Sequence, residues 1–216
     1  MKTNITMNRF ILLTFGLFSL VNGYSQVQYA TYYNPMDAVT YNIQVETANG
    51  DDYSIYVYGM HITTDFQTGG FYIQKKNLEG FLSDFLVAKQ KYEAWTKTAK
   101  ENKIEDLAKK IEIPKSQKIG GFFKSGDSTS LDTKSINRHL KPVYSFLVTK
   151  DKGLIKYYLA IFTDAFVDPQ VPLLISSGYG LIFSSPEEVM SFYSLLQPEK
   201  INAFLSKQPK LDELFR

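Results

Sequence analysis

From Asn77 to Ile111 the chain carries large apolar side chains at a spacing that few folds can leave in water. Leu78, Phe81, Leu82, Phe85, Tyr92, Trp95 and Ala99 fall on one face of a helix. A ridge of this kind has to be covered, and the segments on either side of it are strand-like. The expected architecture is therefore pleated strands laid over a central helix. Asn77 is placed to cap the first turn. Glu79 and Asp84 lie toward the start, and Lys89, Lys91, Lys97 and Lys100 toward the end, the order the helix dipole favours. Gly80 weakens the helix by up to ~1 kcal/mol against alanine. That is small beside the ~1.5–3 kcal/mol that each buried large apolar side chain contributes. A buried Trp95 would make Trp95→Ala cost about 3–5 kcal/mol. Asn102 breaks the helix, and Ile104, Leu107, Ala108 and Ile111 predict a second amphipathic helix stopped by Pro114.

The flanking segments read as strands. Gln26 to Tyr33 is short and aromatic. Val39, Tyr41, Ile43 and Val45 alternate with polar residues, and Tyr53, Ile55 and Val57 resume the pattern after Asn49-Gly50-Asp51-Asp52. This predicts a hairpin with one buried and one wet face. Gly69-Gly70 suggests a turn or bulge before Phe71-Tyr72-Ile73. Gln117 to Lys124 is strand-like, with a bulge expected at Gly120-Gly121. Asn137-Arg138-His139-Leu140-Lys141 reads as a polar connection. Pro142 to Thr149 and Leu154 to Phe162 are strands around a Lys150-Asp151-Lys152-Gly153 turn, the second apolar enough to be central in its sheet. Two strand pieces flank Ser177-Gly178-Tyr179-Gly180. Ser185-Pro186-Glu187-Glu188 is a helix start, with a serine cap, proline at N1 and a glutamate completing a capping box. Pro198 opens a last short helix, and the tail from about residue 208 is expected to be loose. Strands, helix, strands and helices in that order predict an α+β fold: a mostly antiparallel β-sheet packed against a long amphipathic helix, with two short C-terminal helices.

The first 25 residues stand apart. Lys2 and Arg9 precede the apolar run Phe10–Val21, and Gly23 and Ser25 put small residues at −3 and −1 of a cleavage point before Gln26. This is the layout of a secretory signal peptide, and the apolar run is shorter than the ~20 residues of a spanning helix. The expected organisation is a signal peptide over 1–25 and one domain over 26–216, exported to the periplasm or outside the cell. With no cysteine in the chain, lipoprotein processing, disulfides and thiolate chemistry are excluded. The leader carries two of the 24 Lys and Arg residues and no acid, so 22 basic residues face 22 acidic ones in the remainder. A global basic field for nucleic acid is not supported.

Few residues suggest chemistry. The two histidines, His61 and His139, have no acid at metal-ligand spacing. Gly-x-Ser-x-Gly is absent, and Ser177-Gly178-Tyr179-Gly180 lacks the lysine and following helix of a phosphate loop. Carboxylate pairs for glycoside hydrolysis are Asp51 with Asp52, expected to serve a hairpin turn, and Asp164 with Asp168. From Lys89 to Lys118 the chain carries a local charge of +4. Lys89, Lys97, Lys100 and Lys103 could meet an anionic glycan, a lipid headgroup or an acidic envelope protein. The competing reading is a solvated face with i,i+4 pairs Glu93–Lys97, Glu105–Lys109 and Asp106–Lys110. Asp127-Ser128-Thr129 resembles a short O-glycosylation acceptor at Ser128. The expected function is non-catalytic binding, without a cofactor. The alternatives are an Asp/Glu-dependent hydrolase of envelope glycans and a carrier of a small apolar ligand.

Overall fold

The computed structural model describes residues 25–34, 38–47, 52–61, 67–125, 136–167, 175–176 and 178–208. In chain order they form β1 (Ser25–Asn34), β2 (Val39–Thr47), β3 (Tyr53–His61), β4 (Gln67–Gln74), α1 (Lys75–Glu101), β5 (Leu107–Ile111), β6 (Ile119–Ser125), β7 (Ile136–Leu140), β8 (Pro142–Asp151), β9 (Leu154–Thr163), β10 (Phe166–Val167), β11 (Ile175–Ser176), β12 (Gly180–Phe183), α2 (Pro186–Leu195) and α3 (Pro198–Leu205). The fold is α+β. Six strands form one sheet in the order β1-β2-β3-β4-β6-β7, and four form a second in the order β12-β9-β8-β5. Every pairing among the described residues is antiparallel.

The long helix lies against both sheets and buries the side its spacing selects. Leu78, Phe81, Leu82, Phe85, Tyr92 and Ala99 are all buried, and Ala88 joins them. The larger sheet meets the ridge with Tyr41, Ile43, Val45, Ile55, Val57, Phe71 and Ile73; the smaller one supplies Tyr144, Phe146, Val148, Leu159, Leu181 and Phe183. Phe85 sits at the meeting point, its ring 5.6 Å from Phe183 and 5.9 Å from Phe192 of α2.

The chain passes between the two larger sheets three times: through α1 from β4 to β5, from β5 back to β6, and from β7 to β8. Lys141 alone separates β7 in the larger sheet from β8 in the smaller. Residues 112–118 run from β5 back to β6 as a strap along α1. Lys91 Nζ donates to the Glu112 carbonyl at 3.0 Å, and the Gln117 N–H to Asp84 Oδ2 at 2.6 Å. Gly80 faces the strap, where a Cβ would stand 2.7 Å from Oε1 at the far end of the flexible Gln117 side chain, a contact that side chain can relieve by moving.

Several expectations need correction. The second helix over Ile104 to Ile111 is instead the edge strand β5, paired with β8 from Leu107↔Val148 to Ile111↔Tyr144. Lys103, at φ 54°, turns the chain out of α1, and of the strand's five residues only Ile111 is buried. The helical i,i+4 pairs expected there do not form: Glu105 pairs with Lys150 at 2.7 Å and Lys110 with Glu112 at 3.2 Å. Helix α1 begins at Lys75 with no side-chain cap, and Asn77 Nδ2 donates instead to the Lys118 carbonyl at 3.4 Å. Trp95 is half-buried, edge-on to Phe146 at 5.9 Å with Lys109 Nζ 4.3 Å over its ring.

The first hairpin has no fully wet face. Gln44 and Glu46 are buried, and Tyr56 donates a short hydrogen bond to Glu46 beside Tyr72 and Phe122. Residues 137–140, read as a connection, belong to β7 and pair with β6. Gly69 and Gly70 lie within β4, and the register shift falls on the partner strand between Tyr58 and Met60.

Other expectations hold. The ladder between β6 and β7 shifts between Ile119 and Gly121. The strand β9 is interior to its sheet. Lys152 and Gly153, at φ 48° and 83°, form a two-residue hairpin turn closed by Asp151↔Leu154. No helix among the described residues is long and apolar enough to cross a membrane. The loop residues 48–51 and the tail from 209 lie outside the described residues.

Candidate functional site

The C-terminal half of α1 has a second face beside its buried ridge. Glu93, Thr96, Lys97, Lys100 and Glu101 recur at the spacing of one helical stripe. They form one wall of a half-open cleft of about 510 Å³. Tyr157 of β9 and Ser184-Ser185-Pro186, where β12 passes into α2, form the other wall. The exposed lining is mostly apolar.

Tyr92 ties the walls together. Its hydroxyl lies 2.9 Å from the Ser184 carbonyl and 3.2 Å from the Tyr157 carbonyl, sharing one hydrogen between two acceptors. Burial raises its pKa above the ordinary tyrosine value, and the carboxylates of Glu188 and Glu187 add to the effect. The phenol is therefore a neutral structural donor and not a base. Thr96 Oγ1 is buried beside it without meeting hydrogen-bond geometry.

The start of α2 is closed by its own side chains. Ser185 Oγ accepts from the Glu188 N–H at 3.2 Å. The Glu188 carboxylate reaches one residue further back than a capping box requires, accepting from the Ser184 N–H at 2.7 Å and the Ser184 hydroxyl at 2.8 Å. The Glu187 carboxyl is held below its usual range by its own backbone N–H and then by the Ser185 hydroxyl. These bonds occupy the acids on this side. Glu93 is likewise engaged, in an ion pair with Lys89 at 2.8 Å.

The cations are arranged differently. Among the described residues neither Lys97 nor Lys100 has a carboxylate partner, and Lys100 Nζ stands 5.4 Å from the centre of the Tyr157 ring. Of the four lysines singled out in the sequence, the cleft brings together Lys97 and Lys100. Lys89 is taken by Glu93, the reverse of the expected Glu93–Lys97 pair, and Lys103 lies beyond the helix end.

The other sequence candidates fall elsewhere. Asp164 is exposed just past β9 and does not line the cleft. Asp168 and Ser128 lie outside the described residues. Asp52 Oδ1 accepts the Tyr53 N–H at 3.0 Å, the local turn role expected of it. No group of three or more potential metal ligands occurs among the described residues. Sequence reasoning missed Tyr92, Tyr157 and Ser184 as site residues. The helix-start motif at Ser185 was the available signal, because it marks where a strand end and a helix end meet.

No protein-family model, no curated protein and no solved structure matches this chain.

Proposed function

We propose that the protein is exported and acts by non-catalytic binding, with the cleft between α1 and the start of α2 as its contact site. The observation that carries this reading is the pairing of Lys97 and Lys100 with an apolar wall. Lys97 and Lys100, with no carboxylate partner among the described residues, line the cleft with Tyr157 and Pro186, and of the lining acids Glu93 is paired with Lys89. Pockets of this size and lining hold small molecules. The titratable group at the centre of the cleft, Tyr92, is held neutral and is occupied by two carbonyls, so it favours binding over proton transfer. Export rests on the charged start, apolar run and small-residue cleavage point of the first 25 residues.

The test is an NMR titration of isotope-labelled residues 26–216 with neutral glycans, short peptides and small organic acids. Shifts should concentrate at the amides of Tyr92, Thr96, Lys97, Tyr157 and Ser184, with each probe recovered intact. Cleavage of a glycan would replace this reading with the hydrolase one. Shifts confined to other regions, or none with any probe, would overturn it. Export is checked by sequencing the N-terminus of the protein released from cells, where Gln26 is expected first.

A further inference from the structure

We infer that the leader is removed before the fold closes, because the bond to be cut, between Ser25 and Gln26, lies inside a paired strand of the finished domain. This inference rests on the export reading and adds the order of two steps, processing and folding.

The register decides the order. Strand β1 begins at Ser25, and its ladder with β2 runs Ser25↔Thr47, Gln26↔Glu46, Val27↔Val45 and Gln28↔Gln44. The residue before the bond and the three after it are all held to β2. Chain ends are loose unless tied down, and here no loose residue separates the cut from the ladder. Proteolysis of a structured segment goes through its opened form and follows the population of that form. Closing these pairs therefore withdraws the bond from a signal peptidase. The step itself is hydrolysis: water adds across the amide, the leader departs with a carboxylate on Ser25, and an α-ammonium is left on Gln26.

The fold leaves an interval in which the cut can be made. Strand β1 is at the edge of the larger sheet, so the pairings from β2 to β7 do not depend on it. Its side chains dock on the other end of the chain. The Tyr29 ring lies 5.1 Å from Phe204 of α3, and the buried Tyr32 ring lies 5.0 Å from Phe192 of α2. Strand β1 gains these partners only once α2 and α3 have been made and have reached the same compartment. The register shift between Gln28 and Ala30 sets the first four pairs apart from the rest of the strand. Opening them in the finished domain is therefore a local event, and the cut is slowed there, not abolished.

The experiment incubates the full precursor, residues 1–216, refolded in detergent, with a purified signal peptidase. Mass spectrometry follows release of the chain that starts at Gln26. Two substrates are compared with it: a peptide of residues 1–36, which holds β1 without β2, and a precursor with a Gly-Ser-Gly-Ser-Gly-Ser insert after Gln26, which moves the bond out of the ladder. Circular dichroism and Trp95 fluorescence verify that both precursors are folded before the peptidase is added. The peptide and the insert precursor should be cut at least about tenfold faster than the parent precursor. Equal rates for the two folded precursors overturn the order of the steps and leave export standing. A peptide that is not cut after Ser25 overturns both.

Discussion

Tyr92 and Tyr144 are both buried, but their hydroxyls stand in opposite circumstances. Tyr92 donates to two main-chain carbonyls, whereas the Tyr144 hydroxyl has no hydrogen-bond partner among the described residues. Removing a satisfied group and removing an unsatisfied one have different signs. Tyr92→Phe should lower stability by about 1 kcal/mol, and Tyr144→Phe should leave it unchanged or raise it slightly, as read from urea unfolding midpoints. The pH dependence follows from the same burial. Both phenols are raised above the ordinary tyrosine value, Tyr92 by burial and then Glu188, and Tyr144 by burial and then Asp84. Above about pH 10 the unfolded chain loses these protons while the native state keeps them. The native state then binds more protons, so stability falls as pH rises past that point and is insensitive to these groups below it. A urea midpoint that holds to about pH 9.5 and then drops, with a shallower drop in Tyr144→Phe, is the expected profile.

Among the elements, α1 was the most legible, because a 3.6-residue period of Leu, Phe and Tyr has one structural reading and the sheets satisfy it. Its far end was less so. Trp95 continues the period but meets the rim, where Phe146 and Lys109 cover only part of the ring. Trp95→Ala should therefore cost about 2 kcal/mol, below the 3–5 kcal/mol typical of a fully buried site, a difference that thermal and urea unfolding can resolve.

The strand β5 was illegible for a related reason. Ile104, Leu107, Ala108 and Ile111 have helical spacing, yet in the edge strand that spacing is incidental. Backbone pairing to β8 decides the conformation, and no local pattern announces a partner strand that comes later in the chain. The start of α2 shows the converse case, since Ser185, Pro186 and Glu188 carry the whole cap locally. Ser185→Ala should cost about 1 kcal/mol in a thermal melt.

At the scale of the whole molecule, fold class was readable and the cleft was not. The fold class follows from the order and period of its segments. The cleft requires Tyr92 to reach carbonyls 65 and 92 residues away, a proximity created by how the smaller sheet docks on α1. The lysine stripe was visible as spacing, but nothing in the sequence distinguished Lys97 and Lys100 from Lys89 until Glu93 took the latter. What makes the docking possible is the ridge of α1, covered by one sheet through Phe71 and Phe81, and by the other through Phe183 and Phe85.

Phe85→Ala tests that arrangement most directly, because the ring lies wholly buried between Phe81, Phe183, Phe192 and Tyr193. Urea unfolding followed by Trp95 fluorescence and by circular dichroism should show a loss of about 3–5 kcal/mol, with both probes moving together. A midpoint unchanged from the parent would contradict a ridge sandwiched between two sheets.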